Sequence, residues 1–166
     1  MKIHDDHMYH GAALIQIAEH PEFTAINSLK VKAEVLHNSY KINDGIGIHL
    51  KYASRPVNAF HEYLFTFHQD ELKELSDIDK VVDKLFVGLV CVKNREICCL
   101  SYVQLNKLID ARKAANGATE PQYVILVTAT KNKSLRAYIN APGVKKKIQG
   151  SALVIPRNSF PHVLFG

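Results

Sequence analysis

The sequence predicts a single α/β domain of the mixed α+β kind, in which a largely antiparallel sheet is flanked by about three helices. The chain has 166 residues, which is the size of one domain with one core. Hydrophobic residues make up 47% and charged residues 22%, close to the globular average, which excludes a disordered or fibrous protein. Segments with a helical repeat alternate with segments whose hydrophobic period is two, as in mixed α/β domains.

The first half of the chain reads as one helix followed by three strands. Good helix formers fill residues 9–19, and Pro21 then stops the helix. The hydrophobic period next changes to two, and Asn43-Asp44-Gly45 is a turn signal between two alternating runs. We therefore expect an antiparallel hairpin of Glu34–Ile42 with Ile46–Ala53, followed by a third strand at residues 62–67.

The second half predicts two helices and five strands. Residues 69–84 are acidic and carry apolar side chains at helical spacing, whereas residues 85–92 are almost continuously apolar, as in a central strand buried on both faces. A returning strand at residues 96–101 precedes a helix at 102–115, which Asn116-Gly117 closes. Further strands are expected at residues 123–129, 135–139 and 151–155, with an apolar tail that packs back onto the domain.

Cysteine usage and the chain start predict a cytoplasmic protein with no membrane segment. Cys91, Cys98 and Cys99 are odd in number and follow no ligand or disulfide spacing, so we expect buried free thiols in a reducing compartment. The first ten residues lack the apolar region of a secretory signal. No apolar run approaches the roughly 20 residues of a membrane helix.

The net charge of +5 is unevenly distributed. Residues 121–166 form a basic, strand-rich C-terminal third that contains no Asp or Glu. Such asymmetry favours a polyanionic partner, and nucleic acid is the partner expected here. The alternative is a solvated loop, because Lys145-Lys146-Lys147 lies between Pro142-Gly143 and Gly150. The candidate nucleic-acid contacts are Lys131, Lys133, Arg136, Lys145, Lys146 and Lys147.

The hairpin contains the strongest candidate for catalysis. His49 and Lys51 are two residues apart and project from the same face of their strand, and Asp44 lies in the turn that begins it. Metal-assisted phosphodiester cleavage uses a carboxylate that holds Mg²⁺ and a lysine that orients water or stabilises developing charge. We therefore predict Asp44, His49 and Lys51 as catalytic residues, with Mg²⁺ as the cofactor.

A helix, a three-stranded meander carrying Asp44 and Lys51, and then a helix and a strand resemble the core of the PD-(D/E)XK nuclease superfamily over about residues 8–110. The resemblance implies that Asp44 holds the metal, that Lys51 is the family lysine, and that Glu19 is an accessory metal ligand. His49 departs from the family pattern, which has Glu, Asp or Gln there, and only six residues separate Asp44 from Lys51. Residues 40–67 also resemble bacterial proteins of unknown function.

Several functions stay open at this stage. A nuclease-like relative that binds without cleaving is one alternative, and a polar hairpin face with no function is another. A non-enzymatic interaction or homo-oligomeric module would use a sheet edge or the apolar tail, which contains Phe160, Val163, Leu164 and Phe165. A small-molecule pocket lined by aromatic residues ranks last. Acyl-transfer hydrolysis is not expected, because no serine has a His and Asp partner at recognisable spacing.

Overall fold

The computed structural model describes residues 1–166 and arranges nine strands in two sheets with four helices. The mixed α+β fold class is therefore confirmed. The helices are α1 (Asp5–Ala18), α2 (Gln69–Asp79), α3 (Tyr102–Asn116) and the short α4 (His162–Phe165). The strands are β1 (Ile26–Val31), β2 (Glu34–Ile42), β3 (Ile46–Ala53), β4 (Glu62–His68), β5 (Lys84–Cys91), β6 (Glu96–Ser101), β7 (Gln122–Thr128), β8 (Leu135–Tyr138) and β9 (Leu153–Ile155).

The first sheet has the strand order β1-β2-β3-β5-β6. The predicted hairpin is confirmed, since β2 and β3 pair antiparallel with Ile42 opposite Ile46 across the Asn43-Asp44-Gly45 turn. β3 then pairs parallel with β5, and β4 with α2 provides the long crossover that a parallel pair needs. As predicted, β5 is central and is buried along its length after Lys84.

The second sheet has the order β4-β7-β8-β9 and is antiparallel throughout. The prediction that β4 completes a meander with the hairpin was wrong, because β4 leaves the first sheet and pairs with β7. Its alternating pattern explains this choice. Tyr63, Phe65 and Phe67 face inward and stand opposite buried apolar residues of β7, and such cross-strand pairs stabilise a sheet.

Two hydrophobic clusters cover the two faces of the first sheet. The larger one has 22 buried residues and fills the space between the two sheets together with α2 and α3. The smaller one has 11 and packs α1 and the C-terminal segment against the opposite face. Phe160 and Leu164 lie inside it, so the tail does pack back, whereas Val163 of the same tail is 38% exposed. Oligomerisation through a sheet edge stays a prediction.

The three cysteines are free and buried, as expected. Burial raises the pKa of all three thiols above the ordinary value, and that of Cys99 reaches about 12. They therefore act as small apolar side chains in the core.

Helix ends follow the local sequence. Ser101 Oγ accepts the N–H of Gln104 and the Gln104 side chain accepts the N–H of Ser101, a capping box that begins α3. Gly117, at φ 73°, ends it in the left-handed conformation. α2 is shorter than predicted, because the N–H groups of Asp83 and Lys84 donate to the carbonyl of Gly45 and draw this segment into the first sheet.

The pattern did not predict β1 and α4. In β1 only Leu29 is buried, since this strand forms the edge of the first sheet and shows little alternation. α4 has only four residues. None of the helices has both the length and the apolar character required to cross a membrane.

Candidate functional site

The hairpin residues His49 and Lys51 share one face of β3 and meet Glu71 of α2. His49 Nε2–H donates to Glu71 Oε2 at 2.8 Å, and His49 Nδ1 is hydrogen bonded to Ser39 Oγ at 2.7 Å. Lys51 Nζ donates to both carboxylate oxygens of Glu71, at 2.9 and 3.0 Å. Ser39 stands opposite His49 in the β2–β3 register, so the pairing of these two strands brings the two side chains together. We call Ser39, His49, Lys51 and Glu71 the His49 cluster.

The His49 cluster is buried at Ser39 and His49 and partly buried at the charged pair, where the side chains of Lys51 and Glu71 are 21% and 19% exposed. Ser39 is 0% exposed and His49 is 3% exposed, and the Lys51 ammonium lies 4.8 Å from the centroid of the buried Phe67 ring. Burial alone would raise the pKa of Glu71, but the hydrogen bonds and charges of His49 and Lys51 outweigh it and hold that pKa below its ordinary value. Glu71 is therefore an ionised partner for both.

Ser39, His49 and Glu71 have the residue types of a hydrolase triad, with a glutamate in place of an aspartate, and this grouping was not expected. Spacing concealed it, because Ser39, His49 and Glu71 come from two strands and a helix of the fold. A nucleophile must nevertheless contact its substrate, and Ser39 has no exposed surface. The hydrogen bonds of the His49 cluster instead join α2 to the first sheet.

The structure does not bring Asp44 or Glu19 to this cluster. Asp44 is exposed in the β2–β3 turn, and a strand advances about 3.3 Å per residue, so its backbone lies about 20 Å from that of Lys51. Glu19 is exposed at the end of α1. Nowhere in residues 1–166 do three or more His, Cys, Asp or Glu side chains form a group suited to a metal ion. The predicted Mg²⁺ ligands therefore remain separate.

Most of the predicted nucleic-acid contacts do come together. Lys131 and Lys133 line one open cleft, and Lys145 and Lys146 line another. A third cleft lies between them: it shares Lys131 with the first and Phe60 with the second, and it adds Lys93 from the β5–β6 turn. All five lysines are exposed and none forms an ion pair. We call this group the basic surface: Lys93, Lys131, Lys133, Lys145 and Lys146.

Arg136 and Lys147, the remaining predicted contacts, are exposed beside the basic surface without lining these clefts. Arg136 projects from β8 in register with Thr128 and Val154. Lys147 follows Lys146, and its carbonyl accepts the N–H of Ala141 at 2.6 Å, which closes the loop that carries the three lysines.

Arg157 belongs to the basic third but supports the surface instead of facing outward. Its guanidinium donates to the carbonyls of Thr130 and Lys133, at 2.6 and 2.7 Å, and to Glu96 Oε1 at 2.7 Å. These contacts fix the turn that carries Lys131 and Lys133 against β6. Arg112 has a similar role, because two hydrogen bonds of 2.7 Å join it to Glu120 and lower the pKa of that carboxyl.

Phe60 lies between the two groups of lysines, since it lines both the cleft of Lys145 and Lys146 and the cleft of Lys93 and Lys131. The Lys146 ammonium is 4.5 Å from the centroid of its ring, and Phe60 is 54% exposed. The loop before β4 holds it there: Asn58 Oδ1 accepts the N–H groups of Phe60 and Glu62, at 3.0 and 3.2 Å, and Asn58 Nδ2 donates to Glu62 Oε1 at 2.8 Å. Glu62, which with Glu120 is one of two carboxylates in this groove, also accepts the hydroxyl of Tyr138.

Sequence reasoning missed Glu71, Lys93 and Phe60. Glu71 lies in an acidic helical segment where nothing in the pattern separates it from its neighbours, and Lys93 is close to the site only through the fold. Phe60 had a usable signal, since an aromatic residue in the loop that joins β3 to β4 has no strand or helix face to fill.

Comparisons with known proteins add no relative: no family model, curated protein or solved structure matches this chain. The nuclease resemblance, which depended on Asp44, Lys51 and Glu19, is thus without a matching family. The function must be inferred from the charges, contacts and exposure of these residues themselves.

Proposed function

We propose that the protein binds nucleic acid through the basic surface. The observation that carries this proposal is that five exposed lysines without any ion pair line three adjoining clefts. Arg112 and Arg157 line two of the same clefts but are paired with Glu120 and Glu96. A row of unpaired cations is a polyanion site in electrostatic terms, because a phosphate backbone supplies regularly spaced negative charge.

The energetic basis is the release of counterions. Each lysine that neutralises a phosphate frees a condensed cation from the nucleic acid, and this favours binding at low salt. Such contacts carry no sequence information, so the proposed binding is tolerant of sequence. The turn that carries Lys131 and Lys133 is already fixed by Arg157, which reduces the entropy lost on binding.

Binding without cleavage is favoured over Mg²⁺-dependent cleavage. Asp44 and Glu19 lie apart from Lys51, and Lys51 is engaged by Glu71 in a partly buried position. A hydrolytic metal site needs an acid that holds the metal close to the group that orients water. The separation of these residues therefore supports nucleic-acid binding without cleavage.

The proposal is tested by fluorescence anisotropy with labelled single-stranded and duplex DNA at low salt. Wild-type protein should bind, and Lys131→Ala/Lys133→Ala should weaken binding by about tenfold or more, since it removes two phosphate contacts. The charge-matched control is Lys30→Ala/Lys107→Ala, which removes two exposed, unpaired lysines outside the basic surface. Absence of binding by the wild type, or equal weakening by both variants, would refute the proposal.

Cleavage is tested separately by incubating wild-type protein with plasmid, single-stranded DNA and RNA in the presence of Mg²⁺ or Mn²⁺. We expect the substrates to stay intact. Cleavage that the Asp44→Asn substitution abolishes would instead support the nuclease hypothesis, because that substitution removes the predicted metal ligand.

We also propose a cytoplasmic location. What supports it is that Cys91, Cys98 and Cys99 are free thiols in the core and form no disulfide. Fractionation of cells that produce the tagged protein tests this, and recovery outside the cytoplasmic fraction would contradict it.

A further inference from the structure

Phe60 is the one phenylalanine of this chain that is largely exposed. The sequence has seven, and the others are buried or half-buried. Its ring therefore offers an apolar, aromatic surface for contact with another molecule, beside the exposed lysines that share its clefts.

The loop around Phe60 is closed by several hydrogen bonds. Besides the Asn58 side-chain contacts, the N–H of Val57 donates to the carbonyl of Glu62 at 3.0 Å and the N–H of His61 donates to the carbonyl of Asn58 at 3.1 Å. His61 has a φ of 56°, in the left-handed region that closes a tight turn. The ring is therefore presented without further ordering of the backbone.

Cations flank the ring on both sides. Lys146 lies over the ring, and Lys93 and Lys131 share the adjoining cleft with Phe60 and His61. A nucleic acid whose phosphates contact both groups of lysines crosses Phe60. This spacing of an aromatic side chain between backbone-binding cations is the arrangement that proteins use for single strands.

We infer that the basic surface selects single-stranded nucleic acid and that Phe60 stacks on one of its bases. The inference rests on the proposed function and deepens it. In a duplex both faces of each base are already stacked, so Phe60 gains a partner only from an unpaired strand. Stacking uses the base face alone, which every base has, so the selection is for strandedness and not for sequence.

The first test compares Phe60→Ala with wild type on oligothymidylate, oligouridylate and duplex DNA of equal length. Loss of one stacking contact should weaken binding to the single strands by about tenfold or more and leave duplex binding unchanged. Phe60→Tyr should retain single-strand binding, and Val57→Ala, an exposed apolar residue of the same loop, is the matched control. The two single-stranded probes distinguish a DNA partner from an RNA partner.

The second test uses the absence of tryptophan from this chain. Phe60→Trp introduces a single indole, whose fluorescence should be quenched when a base stacks on it and should be unaffected by duplex DNA. Equal effects of Phe60→Ala on single strands and duplex, no effect on either, or no quenching by a bound single strand would overturn the inference while wild-type binding still supports the proposed function. Failure of the wild type to bind any probe would refute the proposed function itself.

Discussion

Lys51 and Lys146 are both placed over a phenylalanine ring, at 4.8 and 4.5 Å from the centroids, and their surroundings differ in every other respect. Lys51 is paired with Glu71 and covers Phe67, which is 0% exposed. Lys146 has no ion pair and covers Phe60, which is 54% exposed. The ring of the first pair is buried in the core, and the ring of the second is exposed on the surface.

Charge supports the fold in the His49 cluster and is free to bind a ligand on the basic surface. In the His49 cluster the Glu71 carboxylate accepts hydrogen bonds from both His49 and Lys51, and Ser39 pairs with the other ring nitrogen of His49, as polar groups removed from water require. On the basic surface the lysines are exposed to solvent, and a bound ligand would replace the water around them. We therefore expect substitutions in the cluster to change stability and substitutions on the surface to change binding.

The largest effect on stability is expected from Glu71→Ala. It leaves the partly buried Lys51 and the buried His49 without their shared acceptor, so the free energy of unfolding should fall by about 2–3 kcal/mol. Glu74→Ala in the same helix, where the carboxylate has no partner, should stay within about 0.5 kcal/mol of wild type. Urea unfolding followed by circular dichroism measures both, and equal losses would contradict the role assigned to the cluster.

Arg157→Ala should have the next largest effect and links the two regions. The substitution releases the carbonyls of Thr130 and Lys133 and the carboxylate of Glu96, so we expect a loss of about 1–2 kcal/mol in unfolding free energy. It should also weaken nucleic-acid binding, because Lys131 and Lys133 lose their fixed turn. Urea unfolding and anisotropy titration measure the two effects. Unchanged stability would show that the contacts of Arg157 do not support the fold.

We expect acid to lower the free energy of unfolding through protonation of Glu71 in the His49 cluster. Although burial acts against it, the contacts with His49 and Lys51 lower the pKa of folded Glu71, so the unfolded chain binds this proton more readily. The resulting stability is fully present above the ordinary Glu pKa of about 4.3 and is lost as the pH falls through the lower pKa of the folded state. Glu71→Gln should lose less stability than wild type over this range. Parallel pH series of urea midpoints test this, and parallel curves would argue against it.

The smallest effect on stability is expected on the basic surface. Lys131→Ala/Lys133→Ala should change the free energy of unfolding by no more than about 0.5 kcal/mol, since neither side chain has a partner. The same urea titration measures this value. A loss comparable with that of Glu71→Ala would mean that these lysines are structural, and the contrast between the two regions would fail.

Local patterns predicted most of the elements, and contacts between distant segments account for what they did not predict. The Asn43-Asp44-Gly45 turn, the apolar run of β5 and the Gly117 helix end are properties of adjacent residues. The departure of β4 to a second sheet depends on its fit to β7, which lies far along the chain. No short-range pattern carries that information.

The sites divide in the same way. The shared face of His49 and Lys51 follows from strand periodicity, so their proximity was predictable. Their acceptor, Glu71, comes from a helix beyond the next strand, and a motif that required Asp44 could not reveal it. The lysines of the C-terminal third were predictable as a charge imbalance, whereas their meeting with Lys93 and Phe60 required the packed fold.

The salt dependence of single-strand binding shows whether the basic surface contacts phosphates. Anisotropy titrations of labelled oligothymidylate at several salt concentrations give the slope of log affinity against log salt for wild type and for Lys145→Ala/Lys146→Ala. Each phosphate contact with a single strand contributes about 0.7 to the magnitude of this slope, so the variant should lower it by about 1.4. Lys30→Ala/Lys107→Ala should leave the slope unchanged. Identical slopes for wild type and Lys145→Ala/Lys146→Ala would contradict the account, because these lysines would then be solvated surface without a phosphate contact.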